Sequence, residues 1–272
     1  MTGEWDSGRL DLDDYLARIG YAGNPDPTEK ALYAMHRAHV AAIPFENLDI
    51  PLGRGVSTDL GAVQAKLVGR RRGGYCYEHG LLFAAVLDRV GYSVTRLLAR
   101  VGDDPARPRP RSHMTLHVRA GDRQWLADVG FGAGLLEPLP WGDTGPHSQG
   151  CWTYRLVPRG ERAWQMAERR GTAWQPLYGF TEEPQHLSDI EVANYFTSTH
   201  PSSPFTGQLV VMRKSDDGHL RLRGRQLTSV RCDGSASERE LPDAEVARAL
   251  REEFALPLTG EEITGLLQTL PR

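Results

Sequence analysis

Cys76 is the residue of this chain best placed to act as a nucleophile. It follows Gly73 and Gly74, and the apolar spacing over residues 81–87 predicts a half-buried helix that begins near Cys76 and ends near Gly91. The N–H groups and the positive dipole end at such a helix start would favour the thiolate, which is the reactive form of cysteine. Because most free cysteines are small buried side chains, this feature alone leaves a structural thiol as the alternative.

A histidine and an aspartate lie on two predicted strands further along the chain. His113 belongs to a strand pattern over residues 112–120, and Asp128 belongs to one over residues 124–129. The Gly-Asp centre of residues 119–123 favours a hairpin turn, so the imidazole and the carboxylate can come opposite one another. With the upstream cysteine they form a possible set in which the thiolate attacks, the imidazole moves the proton and the carboxylate orients the imidazole.

Two further histidines compete for a role. His79 follows Cys76 by three residues, so on a helix the two would share a face and could pair. His113 and His117 share one face of a strand, which suggests a metal site, but no third ligand accompanies them. We therefore expect no metal.

The composition excludes some classes of function. With 272 residues, 40% hydrophobic and 25% charged, the chain can bury a sizeable core. A net charge of −3 and a pI of about 6.3 give no electrostatic reason to bind nucleic acid or an anionic membrane. No apolar run approaches the roughly 18 residues of a membrane helix, and the first residues lack a signal-peptide pattern, so the expected compartment is the cytoplasm.

The cysteines predict neither a disulfide framework nor a zinc site. Cys76, Cys151 and Cys232 are odd in number, far apart and without a C-x-x-C pair. We therefore expect three reduced thiols.

The order of elements predicts an α+β fold in three parts. Helical patterns over residues 10–19, 28–39 and 60–67 and the Cys76 helix form the first part, residues 1–90, which reads as a helical bundle. Strand patterns dominate residues 91–190. Residues 191–272 mix strands, such as 208–212 and 220–222, with helical patterns over 243–254 and 261–267, and read as an α/β lid.

Six blocks of the sequence, in order, resemble the arylamine N-acetyltransferases, and the resemblance covers almost the whole chain. It is closest to the actinobacterial type, and related amide synthases share the fold. The blocks are residues 15–21, 43–49, 72–76, the His113 strand, 128–132 and 198–205. Matched motif by motif, the family's catalytic triad falls on Cys76, His113 and Asp128. One departure is Gly80, where the family commonly has asparagine, so that side chain's local hydrogen bond is missing here.

The resemblance also implies an architecture and a reaction. The fold would be a helical bundle, a β-barrel and an α/β lid, with a cysteine-protease-like core. The reaction would be ping-pong, with acetyl-CoA as the donor and an arylamine or arylhydrazine as the acceptor. The residues expected around the acceptor are Phe45, Phe131 and Phe205, and those expected at the CoA end are Ser112, Phe131 and Gly132. Each phenylalanine could equally be ordinary core packing.

Two other enzyme classes remain open at this point. An amide synthase of the same fold, closing a macrolactam from a polyketide thioester, would have the same triad. A thiol hydrolase or transglutaminase-like enzyme would use the triad on peptides. The sequence leaves open the preferred acceptor and the oligomeric state.

Overall fold

The computed structural model describes residues 5–102 and 107–271. The helices are α1 (Leu12–Ile19), α2 (Glu29–Ala42), α3 (Leu60–Gln64), α4 (Cys76–Val90), α5 (Leu187–Thr199), α6 (Asp243–Arg248) and α7 (Gly260–Thr269). Short π-helical turns at Ala65–Gly69 and Ala249–Glu253 continue α3 and α6.

Polar side chains define several of the helix starts. Asp11, Thr28, Asp59 and Thr259 each accept a backbone N–H in the first turn of α1, α2, α3 and α7. Each cap satisfies a donor that the helix itself leaves without a partner. At the other end of α4, Gly91 adopts a φ of 108°, which ends the helix as the sequence predicts.

The strands of the described residues form two antiparallel sheets. They are β1 (Phe45–Glu46), β2 (Ser93–Val101), β3 (Arg111–Ala120), β4 (Arg123–Ala127), β5 (Leu139–Pro140), β6 (His147–Gln149), β7 (Trp152–Pro158), β8 (Ala163–Arg170), β9 (Ala173–Thr181), β10 (Val210–Lys214), β11 (Gly218–Arg223), β12 (Gln226–Arg231) and β13 (Ala236–Glu240). The larger sheet has the order β5-β4-β3-β2-β9-β8-β7-β6 and curls so that β5 approaches β7, which makes a nearly closed barrel. The smaller sheet has the order β1-β10-β11-β12-β13.

Strand β1 joins the helical part of the chain to the smaller sheet. Phe45 pairs with Met212 and Glu46 pairs with Val211, although more than 160 residues of chain separate them. On the far side of this sheet, α6 and α7 bury an apolar core that includes Leu222, Leu250 and Phe254. The α+β class and its helical, barrel and α/β parts are therefore as predicted.

Helix α4 is buried on every side rather than half-buried as predicted. All residues from Cys76 to Leu87 are buried, because the helix lies between the other N-terminal helices and strands β2 and β3 of the barrel. The same position brings its first turn against the strand that carries His113. A helix start delivering a cysteine to a barrel strand is a cysteine-protease-like arrangement.

The expectation of three reduced thiols is wrong. Cys151, just before β7, and Cys232, in the turn between β12 and β13, form a disulfide across 81 residues. Both approach Asp216, whose carbonyl accepts the N–H of Cys151 at 3.1 Å. The sequence could not indicate this pair, because it forms only where the barrel meets the C-terminal sheet.

Some predicted boundaries are also wrong by a few residues. The predicted helices over 60–67 and 243–254 each change to a π-helical turn part-way, and the predicted strand over 124–129 ends at Ala127. The strand predicted over 208–212 lies at Val210–Lys214. None of these changes moves an element to another sheet or layer.

Candidate active site

Cys76 is the first residue of α4, and the chain before it passes tightly beside β1. A Cβ atom on Gly73 would lie 2.2 Å from the Pro44 carbonyl oxygen, so only glycine fits there. The N–H of Glu46 donates to the Gly74 carbonyl at 2.8 Å, which fixes the segment in a strand-like bridge with Phe45. The sequence signal of two glycines therefore reflects a close approach of two backbones.

Glu78 closes the first turn of α4. Its Oε2 accepts the N–H of Tyr75 at 3.0 Å, and its Oε1 accepts a hydrogen bond from the Lys66 Nζ at 2.8 Å. Burial and the neighbouring carboxylate of Glu46 outweigh Lys66 and raise the pKa of Glu78 to about 7. A titratable carboxyl thus lies two residues from the candidate nucleophile.

Lys66 contacts carboxylates other than that of Glu78. Its Nζ also lies 2.7 Å from Asp49, and the pKa of Lys66 is raised because three acidic groups, Glu46, Glu78 and Asp49, outweigh its burial. Arg72 completes the cluster through a 2.9 Å ion pair with Glu46. We call Glu46, Asp49, Lys66, Arg72 and Glu78 the buried charge cluster. It supports the turn that presents Cys76.

The structure brings Cys76, His113 and Asp128 together. His113 Nε2 lies 2.7 Å from Asp128 Oδ2, and all three side chains are buried. The two strands pair so that Leu116 faces Ala127, so Asp128 follows the ladder and meets His113 on a diagonal rather than directly opposite. The predicted proximity is present, with a register two residues from the predicted one.

The charges around His113 favour its imidazolium form. Burial would lower the pKa of His113, but the Asp128 carboxylate and the Cys76 thiol outweigh it and raise the pKa to about 10. Because Asp128 occupies Nε2, Nδ1 is the ring atom left for the thiol. His113 in turn outweighs burial at Asp128 and lowers the pKa of that carboxyl. The Asp128 Oδ1 accepts the N–H of Gly130 at 3.0 Å, which fixes the carboxylate plane.

A cavity of about 600 Å³ opens onto Cys76 and His113. Phe45, Phe131 and Phe205 all line it, and the rings of Phe45 and Phe205 lie 5.9 Å apart. The ring of Phe131 also meets His113 edge-on, with 5.0 Å between centroids. The predicted aromatic residues are therefore gathered around the thiol, in a volume that suits a small organic molecule.

Of the three residues predicted to contact CoA, two line the cavity and one does not. Ser112 and Phe131 line the cavity, and the Ser112 carbonyl lies 3.7 Å from the Cys76 Sγ. Gly132 instead packs against Phe45 and borders a void of about 20 Å³ beside the cavity. Its φ of 77° belongs to the left-handed region that favours glycine.

The competing histidines have other partners. His79 Nδ1 lies 2.8 Å from the His39 Nε2, and its Nε2 lies 3.3 Å from the Pro44 carbonyl, so it does not pair with Cys76. His117 Nε2 lies 2.8 Å from the Gln124 side-chain oxygen. Within residues 5–102 and 107–271, no group of three His, Cys, Asp or Glu side chains could hold a metal ion.

The position where the resembled family commonly has asparagine is filled by a neighbour. A Cβ atom on Gly80 would lie 2.9 Å from the Met114 Sδ, so the methionine occupies the space that a side chain at Gly80 would need. Met114 follows His113 on β3 and is buried. The Met114 side chain therefore packs where a side chain at position 80 would extend.

Sequence reasoning missed several residues around the site. Arg109 and Phe196 line the cavity, and His36 contacts the backbone of Asp128. Arg109 lies in a Pro/Arg-rich segment that only indicates an exposed loop, and Phe196 lies on α5, which none of the predicted helices covers. His36 gives no signal in the sequence, because its partners are backbone atoms about 90 to 100 residues away.

Comparisons with known proteins agree with this geometry. A family model described as N-acetyltransferase matches residues 29–263. The arylamine N-acetyltransferase of Mycolicibacterium smegmatis is 41% identical over 92% of this chain and 93% of its own. The solved structure of the enzyme from Mycobacterium abscessus has a TM-score of 0.92 and 39% identity, over 97% of this chain and 96% of its own.

A second solved structure includes a ligand. It is the Mycobacterium marinum arylamine N-acetyltransferase in complex with CoA, with a TM-score of 0.88 and 35% identity, over 96% of this chain and 100% of its own.

In the part of the chain that the structure describes, no helix is long and apolar enough to cross a membrane.

Proposed function

The chain belongs to the arylamine N-acetyltransferase family, and from that premise we propose that Cys76, His113 and Asp128 carry out acetyl transfer from acetyl-CoA to an arylamine, an arylhydrazine or a similar amine. One observation carries the proposal. Cys76 and His113 open onto a single cavity of about 600 Å³ that three phenylalanine rings line. The nucleophile, the proton carrier and a surface for a flat aromatic acceptor are thus found together.

In the first half-reaction the Cys76 thiolate attacks the thioester carbonyl carbon of acetyl-CoA. The oxyanion that forms faces the start of α4, where the N–H of Cys76 is a donor that the helix does not use. His113 gives its proton to the CoA sulfur as the bond between that sulfur and the acetyl carbon breaks. The acetyl group stays on Cys76 as a thioester, and CoA leaves.

In the second half-reaction the nitrogen of the amine attacks the acetyl carbon on Cys76. His113 takes the proton that the nitrogen loses, and the cysteine sulfur leaves as the amide forms. Asp128 holds the imidazole in place through both steps and stabilises its cation. Donor and acceptor use the same sulfur in turn, which makes the kinetics ping-pong.

The aromatic walls serve the second step. Phe45, Phe131 and Phe205 offer ring faces and edges to a planar amine, and their apolar surface disfavours the water that would hydrolyse the acetyl thioester. We assign Ser112, Phe131 and Gly132 to the CoA side of the site. Ser112 and Phe131 lie on the cavity wall, whereas Gly132 acts there through the backbone of the segment it shares with Phe131.

The organisation and the cellular setting are part of the same proposal. We divide the chain into a helical bundle at 1–90, a barrel domain at 91–190 and an α/β lid at 191–272. We place the reaction in the cytoplasm, where acetyl-CoA is made, without a nucleic-acid or membrane partner. The Cys151–Cys232 disulfide is the one observation that opposes this placement, because a reducing compartment keeps cysteines as thiols, and the redox state of the two cysteines in protein taken directly from cells tests it.

The comparisons do not favour the two alternatives. The relatives and solved structures reported above carry the name arylamine N-acetyltransferase, and neither an amide synthase nor a thiol hydrolase is among them. A hydrolase would also have to admit water to the acetyl thioester, which the aromatic lining disfavours.

Steady-state kinetics test the proposed function. Initial rates with acetyl-CoA and an aniline should give parallel reciprocal plots, and the Cys76→Ala variant should be inactive. Intersecting plots, or activity in Cys76→Ala, would contradict acetyl transfer through this cysteine. Release of CoA at an equal rate without the aniline would favour the hydrolase instead.

A further inference from the structure

His36 contacts the backbone at both ends of the segment that carries the aspartate. It lies on α2 with no exposed surface. Its Nε2 lies 3.1 Å from the N–H nitrogen of Asp128, and its Nδ1 lies 3.0 Å from the Leu136 carbonyl oxygen. Between these two contacts the chain runs through Gly130 and Phe131. One imidazole therefore connects helix α2 to both ends of residues 128–136.

The two partners determine the state of the ring. An amide N–H can only donate and a carbonyl can only accept, so Nδ1 must carry the proton and Nε2 must present its lone pair. Burial outweighs these hydrogen bonds and the Asp128 charge and lowers the pKa of His36 to about 4. His36 is therefore a neutral imidazole at the pH of the reaction, with a single tautomer.

His36 contacts Asp128 just beyond the last residue pair of strands β3 and β4. The pairing of β3 with β4 ends at Leu116 and Ala127, so the amide of Asp128 is the first one beyond the ladder. Its carboxylate is held at one oxygen by Gly130 and at the other meets His113 at 2.7 Å. The acceptor on His36 takes the place of the missing ladder partner and fixes the backbone from which this carboxylate extends.

We propose that His36 is a positioning residue of the triad, which holds the Asp128 backbone so that its carboxylate meets His113 at the correct distance and angle. It touches neither substrate nor reacting atoms. The proposal rests on the proposed function, because it matters only if His113 and Asp128 serve Cys76.

Two substitutions separate the contacts of His36. In His36→Asn the shorter amide reaches the position of Nδ1 and can keep the Leu136 contact, but it cannot reach the Asp128 N–H. In His36→Gln the amide extends to the position of Nε2, so its oxygen can accept the Asp128 N–H again. Leu32→Ala is the matched control, since Leu32 is a fully buried residue one turn earlier on α2 and its loss weakens packing without removing a hydrogen bond.

The readouts are the rate of Cys76 alkylation by iodoacetamide between about pH 5 and 9 and the turnover of an aniline with acetyl-CoA. In His36→Asn we expect the alkylation rate near neutral pH and kcat to fall about 10- to 100-fold, with KM for acetyl-CoA changed less than about threefold. The pH profile should shift towards that of an ordinary thiol. His36→Gln should recover much of the loss, and Leu32→Ala should keep the wild-type profile despite a lower Tm.

The outcomes distinguish the two proposals. If wild-type Cys76 reacts as an ordinary thiol at every pH, the proposed function of the triad fails. If the wild type is activated and His36→Asn has the same profile, or Leu32→Ala shifts it equally, the positioning role of His36 is overturned. If His36→Asn does not fold, His36→Phe replaces it with the same expectation, because that variant keeps the ring contact with Phe83 and lacks both nitrogens.

Discussion

Replacing Asp128 with asparagine should prevent His113 from accepting the proton of the thiol, while the side chain at position 128 keeps its size and shape. In the wild type the Gly130 N–H holds Oδ1, and Oδ2 faces His113 at 2.7 Å. An asparagine would direct its oxygen to that N–H and its NH₂ to His113 Nε2. The imidazole would then carry its proton on Nδ1, facing Cys76, where it could not accept the proton of the thiol.

The structure gives the magnitude of this effect. The pKa of His113 rises from 6.5 to about 10, with Asp128 as the largest favourable influence after the opposing effect of burial. At 1.36 kcal/mol per pKa unit, that rise corresponds to stabilisation of the imidazolium on the order of 5 kcal/mol. Losing the share that belongs to Asp128 should lower the imidazolium population of His113, and with it the rate of Cys76 alkylation near neutral pH, at least about tenfold. Turnover should fall by about 10⁴-fold, because the remaining tautomer is the wrong one.

The assay is iodoacetamide alkylation followed by intact mass, without reductant. The disulfide protects Cys151 and Cys232, so the added mass reports on Cys76 alone. The matched control is Asp122→Asn, the same change on an exposed carboxylate in the β3–β4 turn, which should behave as the wild type. If Asp128→Asn melts at a normal temperature and its alkylation profile follows that of the wild type, the argument for Asp128 is refuted.

Three further results are expected. Cys232→Ser should lower the free energy of unfolding by about 2–4 kcal/mol under oxidising conditions, measured by urea titration, and an equal effect in reductant would contradict a disulfide origin. Gly73→Ala should lower Tm by an amount equivalent to about 2–4 kcal/mol, because the added Cβ would lie 2.2 Å from the Pro44 carbonyl oxygen. Gly69→Ala is the control and should leave Tm unchanged, because the space around Gly69 is open; equal melting curves for the two variants would argue against the close approach at Gly73. Glu78 has a pKa raised from 4.5 to about 7, so its contribution to stability is largest below pH 4.5 and is lost as the pH rises through about 7. Between pH 4.5 and about 7 the free energy of unfolding of the wild type should therefore fall by about 3 kcal/mol relative to that of Glu78→Gln, as measured by urea titration. A difference between the two proteins that is independent of pH would show that Glu78 stays ionised.

The parts of the site that the sequence could predict are those with a local signal. Cys76 stands between a glycine pair and a helical pattern, and the sequence assigns His113 and Asp128 to two predicted strands joined by a short turn, with Asp128 one residue beyond the end of the observed strand. Their proximity follows from hairpin pairing, which sequence spacing alone approximates to within two residues. The exact diagonal pairing depends on where the β3–β4 ladder ends, and the tertiary packing sets that point.

The parts that it could not predict depend on contacts between distant segments. The disulfide needs the barrel and the C-terminal sheet to meet, and the buried charge cluster needs residues from four separate stretches of chain to converge behind Cys76. His36 binds backbone atoms, which any residue type supplies, so no motif records it. Each of the three residues has a local signal in the sequence, whereas their meeting at one site depends on the packing of α4 against β3.

Acetyl transfer through Cys76 can be tested by mixing the purified protein with acetyl-CoA alone and measuring its intact mass, with Cys76→Ala as the control. Acetyl transfer through Cys76 predicts a gain of one acetyl group in the wild type, absent from the control and removed when an aniline is added. Absence of the adduct together with absence of free CoA would contradict acetyl transfer through Cys76.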